Sequence, residues 1–275
     1  MKAIIVGSGA GGATAARELA GRGWHVLVLE SGRPFRPLDR RLLQWADPLR
    51  RAGLLGDARW VPWIFPAMRA QRSSRDLVLM RGVATGGSTV VACGNLVRAE
   101  RGLAELGLDL QAEFAELEAL IGVRPFPRQR WRPVTQRMFA AAAELGLNPH
   151  PTPKAVDAHR CIACGLCEVG CTTGARWDAR RFLADAVARG TVVRTGAPVQ
   201  RVVVEDGRVR GVLVGRRGSA ERIAADAVVL AAGGTGTAQV LCASDLPARE
   251  TLWADIVLTI GGRVERARQL REPPM

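Results

Sequence analysis

The opening of this 275-residue chain constrains its fold more than any other part of it. Residues 2–7, KAIIVG, read as a short buried strand, apolar and β-branched in the middle. Gly7-Ser8-Gly9-Ala10-Gly11-Gly12 follows at once and fits G-x-G-x-x-G. An alanine-rich helix is expected over residues 13–20, ended by Gly21 and Gly23. A second strand, His25 to Leu29, closes on Glu30.

Each part has a physical task. Gly7 permits the sharp turn out of the strand, Gly9 lets the backbone approach a pyrophosphate, and Gly12 lets the helix pack on the strand. The helix N-terminus offers free N–H groups and a partial positive charge, so Ser8, Ala10 and Gly11 count with the expected phosphate cradle. Glu30, eighteen residues after Gly12, is placed to accept hydrogen bonds from ribose hydroxyls, with Ser31 beside it. The acid disfavours NADP by repelling a 2′-phosphate. FAD and NAD both stay open on these residues alone.

Composition sets the limits. Apolar residues make up 48% and charged residues 24%, which are globular proportions. No run of about eighteen apolar residues occurs, so no transmembrane segment is expected. The net charge of +13 suggests nucleic acid at first sight. Yet of the 39 basic residues only Lys2 and Lys154 are lysine, the arginines are spread along the chain, and tyrosine is absent. Base-stacking aromatics are therefore scarce, and no nucleic-acid partner is expected. With no export signal, the expected location is cytoplasmic, with peripheral membrane contact left open.

Two later segments carry the argument further. Arg81-Gly82-Val83-Ala84-Thr85-Gly86-Gly87-Ser88-Thr89 is a second small-residue loop, able to approach a ligand closely and to donate from its hydroxyls. Ala227 to Leu230 reads as a buried strand ending in Ala231-Ala232-Gly233-Gly234. Strands are expected before it at Val192–Arg194, Val199–Glu205 and Arg208–Val214, with Asp206-Gly207 as a hairpin turn.

The three stretches, in this order, resemble the FAD-dependent glucose–methanol–choline (GMC) oxidoreductases. The matching residues are 4–32, RGVATGGST at 81–89, and 197–241. The resemblance implies an α/β, Rossmann-like FAD-binding domain with a β-hairpin excursion, a cysteine-rich loop and the start of a truncated α+β substrate domain. It implies that the first loop holds the FAD pyrophosphate. Arg81, Gly82, Thr85, Gly86, Gly87 and Ser88 would lie against the flavin side, Val199 would meet the adenine, and Ala232 and Gly233 would flank the phosphates. The family usually shows Asn three or four residues after the GGS motif, where this chain has Val91 and Ala92; Asn95 is the substitute expected from a shifted loop. The family oxidises alcohols with a His, paired with a second His or an Asn, near the C-terminus. His25, His150 and His159 sit in no such context, so no catalytic residue is assigned. The implied reaction is hydride transfer from an alcohol to flavin, with electrons passing to an external acceptor such as a quinone, ferredoxin or cytochrome. The alternative is an FAD/iron–sulfur electron-transfer flavoprotein with no alcohol substrate.

Cys161, Cys164, Cys167 and Cys171 have the spacing C-x2-C-x2-C-x3-C, the bacterial ferredoxin run, with Thr172 where proline usually follows. One [4Fe-4S] cluster on these four residues is the first expectation, with Cys93 and Cys242 as remote ligand candidates. A zinc-bound or simply reduced structural loop and a redox-active disulfide remain as alternatives.

The expected organisation is FAD-binding domain over 1–120, a helical and cysteine-rich insert over 121–190, the returning part over 191–250, and the start of a substrate domain over 251–275. Helices are expected from Asp109 to Ile121, Val134 to Leu145 and Asp178 to Ala188, the last with Phe182, Leu183 and Val187 inward. The segment with Trp45, Trp60 and Trp63 is read as a packed excursion, a lid over the cofactor or a membrane-touching patch. The chain thus reads as the cofactor-binding portion of a longer enzyme.

Overall fold

A computed structural model describes residues 1–38, 65–72, 78–215 and 218–248. The tryptophan-bearing excursion around Trp45, Trp60 and Trp63 and the expected substrate-domain start at 251–275 lie outside the described residues. The described chain forms two compact units, residues 1–91 with 178–248, and residues 92–177.

The first unit is built on a parallel sheet. Strands β1 (Lys2–Val6) and β2 (His25–Leu29) are joined through helix α1 (Ala10–Gly21). Their alternate burial fails in the way buried parallel strands demand: Ala3, Ile4, Ile5 and Val6 are all buried. β1 pairs with β2 on one side and with the later strand Ala227–Leu230 on the other; β2 pairs with Val192–Arg194. All three pairings are parallel, so the sequence stretches read as isolated strands converge on one sheet. α1 buries Gly12, Ala13, Ala16 and Ala20, the small face that lets it lie close to the strands.

Two antiparallel elements complete this unit. Strands β3 (Met68–Arg72) and β4 (Val78–Gly82) pair and deliver the chain into a 3-10 turn, Gly87–Val91. The other comes after the second unit. That unit holds α2 (Glu100–Ala104), α3 (Gln111–Ile121), the two-residue strand β5 (Arg124–Pro125), α4 (Pro133–Glu144) and β6 (Pro153–Lys154). The chain then makes α5 (Arg180–Ala188) and β7 (Val192–Arg194), followed by a three-stranded sheet of β8 (Val199–Glu205), β9 (Arg208–Val214) and β10 (Glu221–Ala224). β11 (Ala227–Leu230) and α6 (Gly233–Ala243) end the described part.

The β8–β9 turn is the expected one. Asp206 and Gly207 take φ of 51° and 71°, the left-handed pair that a twist-matched two-residue hairpin requires. Ile4, Val6 and Leu29 of the parallel sheet share a core with Ala197, Val212 and Val214, so the three-stranded sheet covers one face of the nucleotide-binding sheet.

Three details differ from the sequence reading. α5 buries Phe182, Leu183 and Ala186, whereas Val187 is exposed. The residue one turn beyond Phe182 is Ala186, and its small side chain allows the helix to approach its neighbour closely. Asp109 does not cap its helix as the flanking residue; Leu110 holds that position, and Asp109 accepts from the Gln111 amide at 3.1 Å. The hairpin β3–β4 and the strand β10 carry no alternating apolar pattern, since their side chains are mostly exposed.

The second unit packs around Phe126, Trp131, Val156 and Ala175, with Cys161 and Cys171 against the same cluster. Arg128 lies over both the Trp131 and Phe139 rings.

Candidate dinucleotide-binding site

The strand-to-helix turn has the geometry that its glycines were expected to permit. Gly7 has φ of 98°, and a Cβ there would lie 2.4 Å from the Ala231 carbonyl oxygen. A Cβ on Gly12 would lie 2.0 Å from the Gly7 carbonyl oxygen. No side chain can occupy either place. Gly9 and Gly11 differ: a Cβ would make only ordinary contacts, at 3.8 Å and 4.0 Å, so packing does not demand glycine there. α1 begins at Ala10 with Gly9 as its cap and no side-chain cap bond. Its first intrahelical bond runs from the Ala13 amide to the Gly9 oxygen, so the amides of Ala10, Gly11 and Gly12 have no acceptor within the helix. Bare donors beside glycines that carry no side chain fit a pyrophosphate.

Ser8 departs from its expected role. It is fully buried, and both its amide and its hydroxyl turn to Glu30 rather than outward. The Ser8 amide donates to Glu30 Oε2 at 3.0 Å and the Ser8 hydroxyl to the same oxygen at 2.5 Å. The Gly32 amide donates to Glu30 Oε1 at 2.8 Å, and the Ser31 hydroxyl lies at 3.4 Å from it. Glu30 is thus a buried carboxylate satisfied mainly by N–H and O–H donors of its own unit, held at the end of β2.

The second glycine loop lies directly on the first. A Cβ on Gly87 would come within 2.8 Å of the Gly9 Cα. The Gly86 amide donates to the Ser8 hydroxyl at 3.2 Å, and the Gly82 amide to the Ser88 hydroxyl at 3.0 Å. The Phe35 amide donates to the Thr85 hydroxyl at 2.9 Å, and the Thr85 amide to the Arg33 oxygen at 3.1 Å. The chain leaving β2 therefore holds this loop in place. Arg81 reaches the other wall, donating to the Thr235 hydroxyl at 3.2 Å near the start of α6. Ala232 caps α6 without a side-chain bond, so this helix also presents bare amides. Residues from four distant stretches of sequence, 7–12, 30–32, 81–88 and 232–235, meet at the ends of β1, β2 and β11.

Two expected members behave differently. Val199 starts β8 half-buried and packs against the sheet core. Asn95 belongs to the second unit, where its side-chain oxygen takes the ammonium of Lys154. Lys154 is almost wholly buried, and burial holds its ammonium below the usual lysine range. Nothing in the local pattern signalled a buried lysine, because its hydrogen-bond acceptor is a neutral amide 59 residues away.

The cysteine run gathers around one small cavity. All six cysteines are free, and Cys161, Cys164, Cys167 and Cys171 line one small cavity with Val156, Ala175 and Arg176. Among the described residues, no group of three or more His, Cys, Asp or Glu side chains could hold a metal ion. The expected [4Fe-4S] cluster on these four cysteines therefore finds no support among the described residues. Locally, a 3-10 turn at Cys167–Val169 interrupts the run, and two sulfurs accept hydrogen bonds from nearby donors. Cys161 Sγ accepts from the Ala163 amide at 3.4 Å, and Cys171 Sγ from the Arg176 amide at 3.5 Å with the Thr173 hydroxyl at 3.4 Å.

These surroundings separate the thiols. Burial pushes Cys167 up to about 12. At Cys171 burial also disfavours the thiolate, but the Thr173 hydroxyl and the backbone amides of Arg176, Thr173 and Ala175 outweigh it and lower the pKa. Alkylation at about pH 8 should therefore label Cys171 roughly tenfold or more faster than Cys167, because the thiolate is the nucleophile. Peptide mapping by mass spectrometry checks this; equal rates would contradict it.

The fold and the paired glycine loops define a nucleotide-binding α/β domain of the doubly wound kind. The chain belongs to the GMC oxidoreductase family, which it matches over residues 1–265. It is 34% identical over 270 residues to an uncharacterized GMC-type oxidoreductase of Mycobacterium tuberculosis, covering 93% of this chain and 41% of that protein. It is 30% identical over 225 residues to a long-chain-alcohol oxidase of Arabidopsis thaliana, covering 74% of this chain and 27% of that protein. The chain thus spans less than half the length of these curated relatives. In fold it is similar to the crystal structure of pyridoxine 4-oxidase from Mesorbium loti, with a TM-score of 0.62 and 20% identity, over 89% of this chain and 52% of that one.

Proposed function

We propose that this chain is the FAD-binding part of an oxidoreductase that oxidises an alcohol. The observation that carries the reading is the meeting of two glycine loops, a buried acid and two uncapped helix N-termini at one end of the parallel sheet. FAD, when bound, supplies the acceptor for a hydride from an alcohol carbon.

The chain's own residues do the binding and positioning. The Ala10, Gly11 and Gly12 amides take the pyrophosphate, and the uncapped start of α6 at Ala232 and Gly233 flanks it. Glu30 Oε1, held firmly by the Gly32 amide and only at 3.4 Å by the Ser31 hydroxyl, takes a ribose hydroxyl. Gly82, Gly86 and Gly87 bring backbone rather than side chain to the flavin side, with Arg81 anchored through Thr235. Val199 is assigned to the adenine side. Alcohols are the favoured substrate class because an alcohol oxidase stands among the relatives. The electrons pass to an external acceptor, and a location on the cytoplasmic side fits this role. No helix among the described residues is long and apolar enough to cross a membrane.

The full-length protein should purify yellow, release FAD on denaturation, and lose its visible flavin absorbance under anaerobic conditions when given a primary alcohol. Bleaching by NADH but by no alcohol would replace this reading with that of an electron-transfer flavoprotein. A colourless protein that takes up no FAD would overturn it altogether.

A further inference from the structure

We propose that Ser8 is a positioning residue that couples the ribose-binding acid to the second glycine loop; the proposal rests on the FAD reading for its effect on affinity. The Ser8 side chain is 0% exposed, so water cannot satisfy it. A serine hydroxyl has one proton to give. At 2.5 Å from a carboxylate oxygen, that proton goes to Glu30 Oε2. The lone pairs of Ser8 Oγ then face the Gly86 N–H at 3.2 Å. The direction of both bonds is fixed by the charge on Glu30.

Two consequences follow. Glu30 Oε2 holds both the amide and the 2.5 Å hydroxyl of Ser8, whereas Oε1 holds the Gly32 amide and only a long 3.4 Å contact to the Ser31 hydroxyl, so Oε1 is the oxygen better able to meet a ligand. Ser8 therefore chooses which carboxylate oxygen faces outward. The second consequence concerns the loop at 81–89. Its Gly86 amide is held by a residue of the first loop, 78 positions away in sequence. Gly86 itself has φ of 92° and Gly87 of 56°, backbone that glycine adopts readily, so the loop's place against the first loop is set by contacts such as this one and not by local strain. An alanine at position 8 would leave the backbone of the glycine loop and its amide bond to Glu30 intact but remove both links made by the hydroxyl.

The test uses the full-length protein as wild type, S8A, E30Q and the double variant. FAD affinity of each apoprotein is measured by flavin fluorescence titration, and amide exchange over 84–90 by hydrogen–deuterium mass spectrometry. S8A should weaken FAD binding about tenfold, the cost of one buried hydrogen bond to a charged group. In the E30Q background the same change should cost no more than about twofold, because Ser8 acts through Glu30. Exchange over 84–90 should speed up about tenfold in S8A while β8 and β9 stay as protected as in wild type. A merely structural role would neither make the loss depend on Glu30 nor confine the faster exchange to 84–90. FAD affinity of folded S8A within about twofold of wild type, or losses that multiply in the double variant, would overturn the proposal. So would unchanged exchange at Gly86. If S8A does not fold, S8C keeps the volume with a weak donor and is read against the same outcomes. If wild type takes up no FAD, the functional reading fails, and the exchange measurement alone decides whether Ser8 holds the second loop.

Discussion

Replacing Gly12 by alanine should leave little folded protein and no bound flavin. The added Cβ would sit 2.0 Å from the Gly7 carbonyl oxygen, and both groups are backbone, so no side chain can swing away. Relief requires α1 to move off β1. That movement opens the packing of Ala13 and Ala16, which are fully buried against the sheet. The expected loss is on the order of 4 kcal/mol, the range of the severest overpacking changes. Gly11→Ala is the matched control. Its Cβ would meet nothing nearer than 4.0 Å, so stability should change by less than about 1 kcal/mol, and any loss should fall on FAD binding. Denaturant midpoints of the two variants check the contrast; equal destabilisation would mean that the close approach at Gly12 does not govern the fold.

Replacing Glu30 by alanine should be nearly as damaging, by a different route. The carboxylate is 4% exposed and accepts from the Ser8 amide, the Ser8 hydroxyl and the Gly32 amide. Alanine strands these donors where water does not reach, at about 3 kcal/mol in total for the fold. Glu30→Gln keeps one acceptor oxygen but faces an NH2 group with N–H donors on the other side, so an intermediate loss of about 1 to 2 kcal/mol is expected. FAD affinity should fall about a hundredfold in Glu30→Ala, because a charge-assisted hydrogen bond to the ribose disappears together with its scaffold. Thermal unfolding with and without added FAD separates the two effects. A Glu30→Ala variant as stable as wild type would show that the Ser8 and Gly32 donors find other acceptors.

Much of the nucleotide-binding unit was legible in the sequence. β1, β2, β7, β8, β9 and β11 stand within a residue of their expected places, because buried strands of this kind are short apolar runs bounded by turn residues. The Asp206-Gly207 hairpin was legible for the same local reason. The hairpin β3–β4 was not, since Met68–Arg72 is mostly exposed and carries neither apolar alternation nor a two-residue turn signal. The cysteine run shows a different limit of local pattern. Its spacing matched a cluster motif, yet spacing constrains only the distance along the chain. Where the sulfurs point was decided by the 3-10 turn at Cys167–Val169 and by the donors Ala163, Thr173 and Arg176.

By itself, the sequence determined which backbone could form the turn at Gly7–Gly12 and that an acid would end β2. These are local matters of glycine sterics and strand length, and they are settled within about thirty residues. Only the tertiary structure decided what that acid touches. Glu30 meets Ser8, Ser8 meets Gly86, and Gly87 lies against Gly9, across separations of 22 and 78 residues in the two hydrogen bonds. The reason is physical: a buried hydroxyl or carboxylate must find a partner, and the partner is whichever donor the packed sheet brings within about 3 Å. That choice belongs to the folded chain as a whole, and no segment of it carries the information alone.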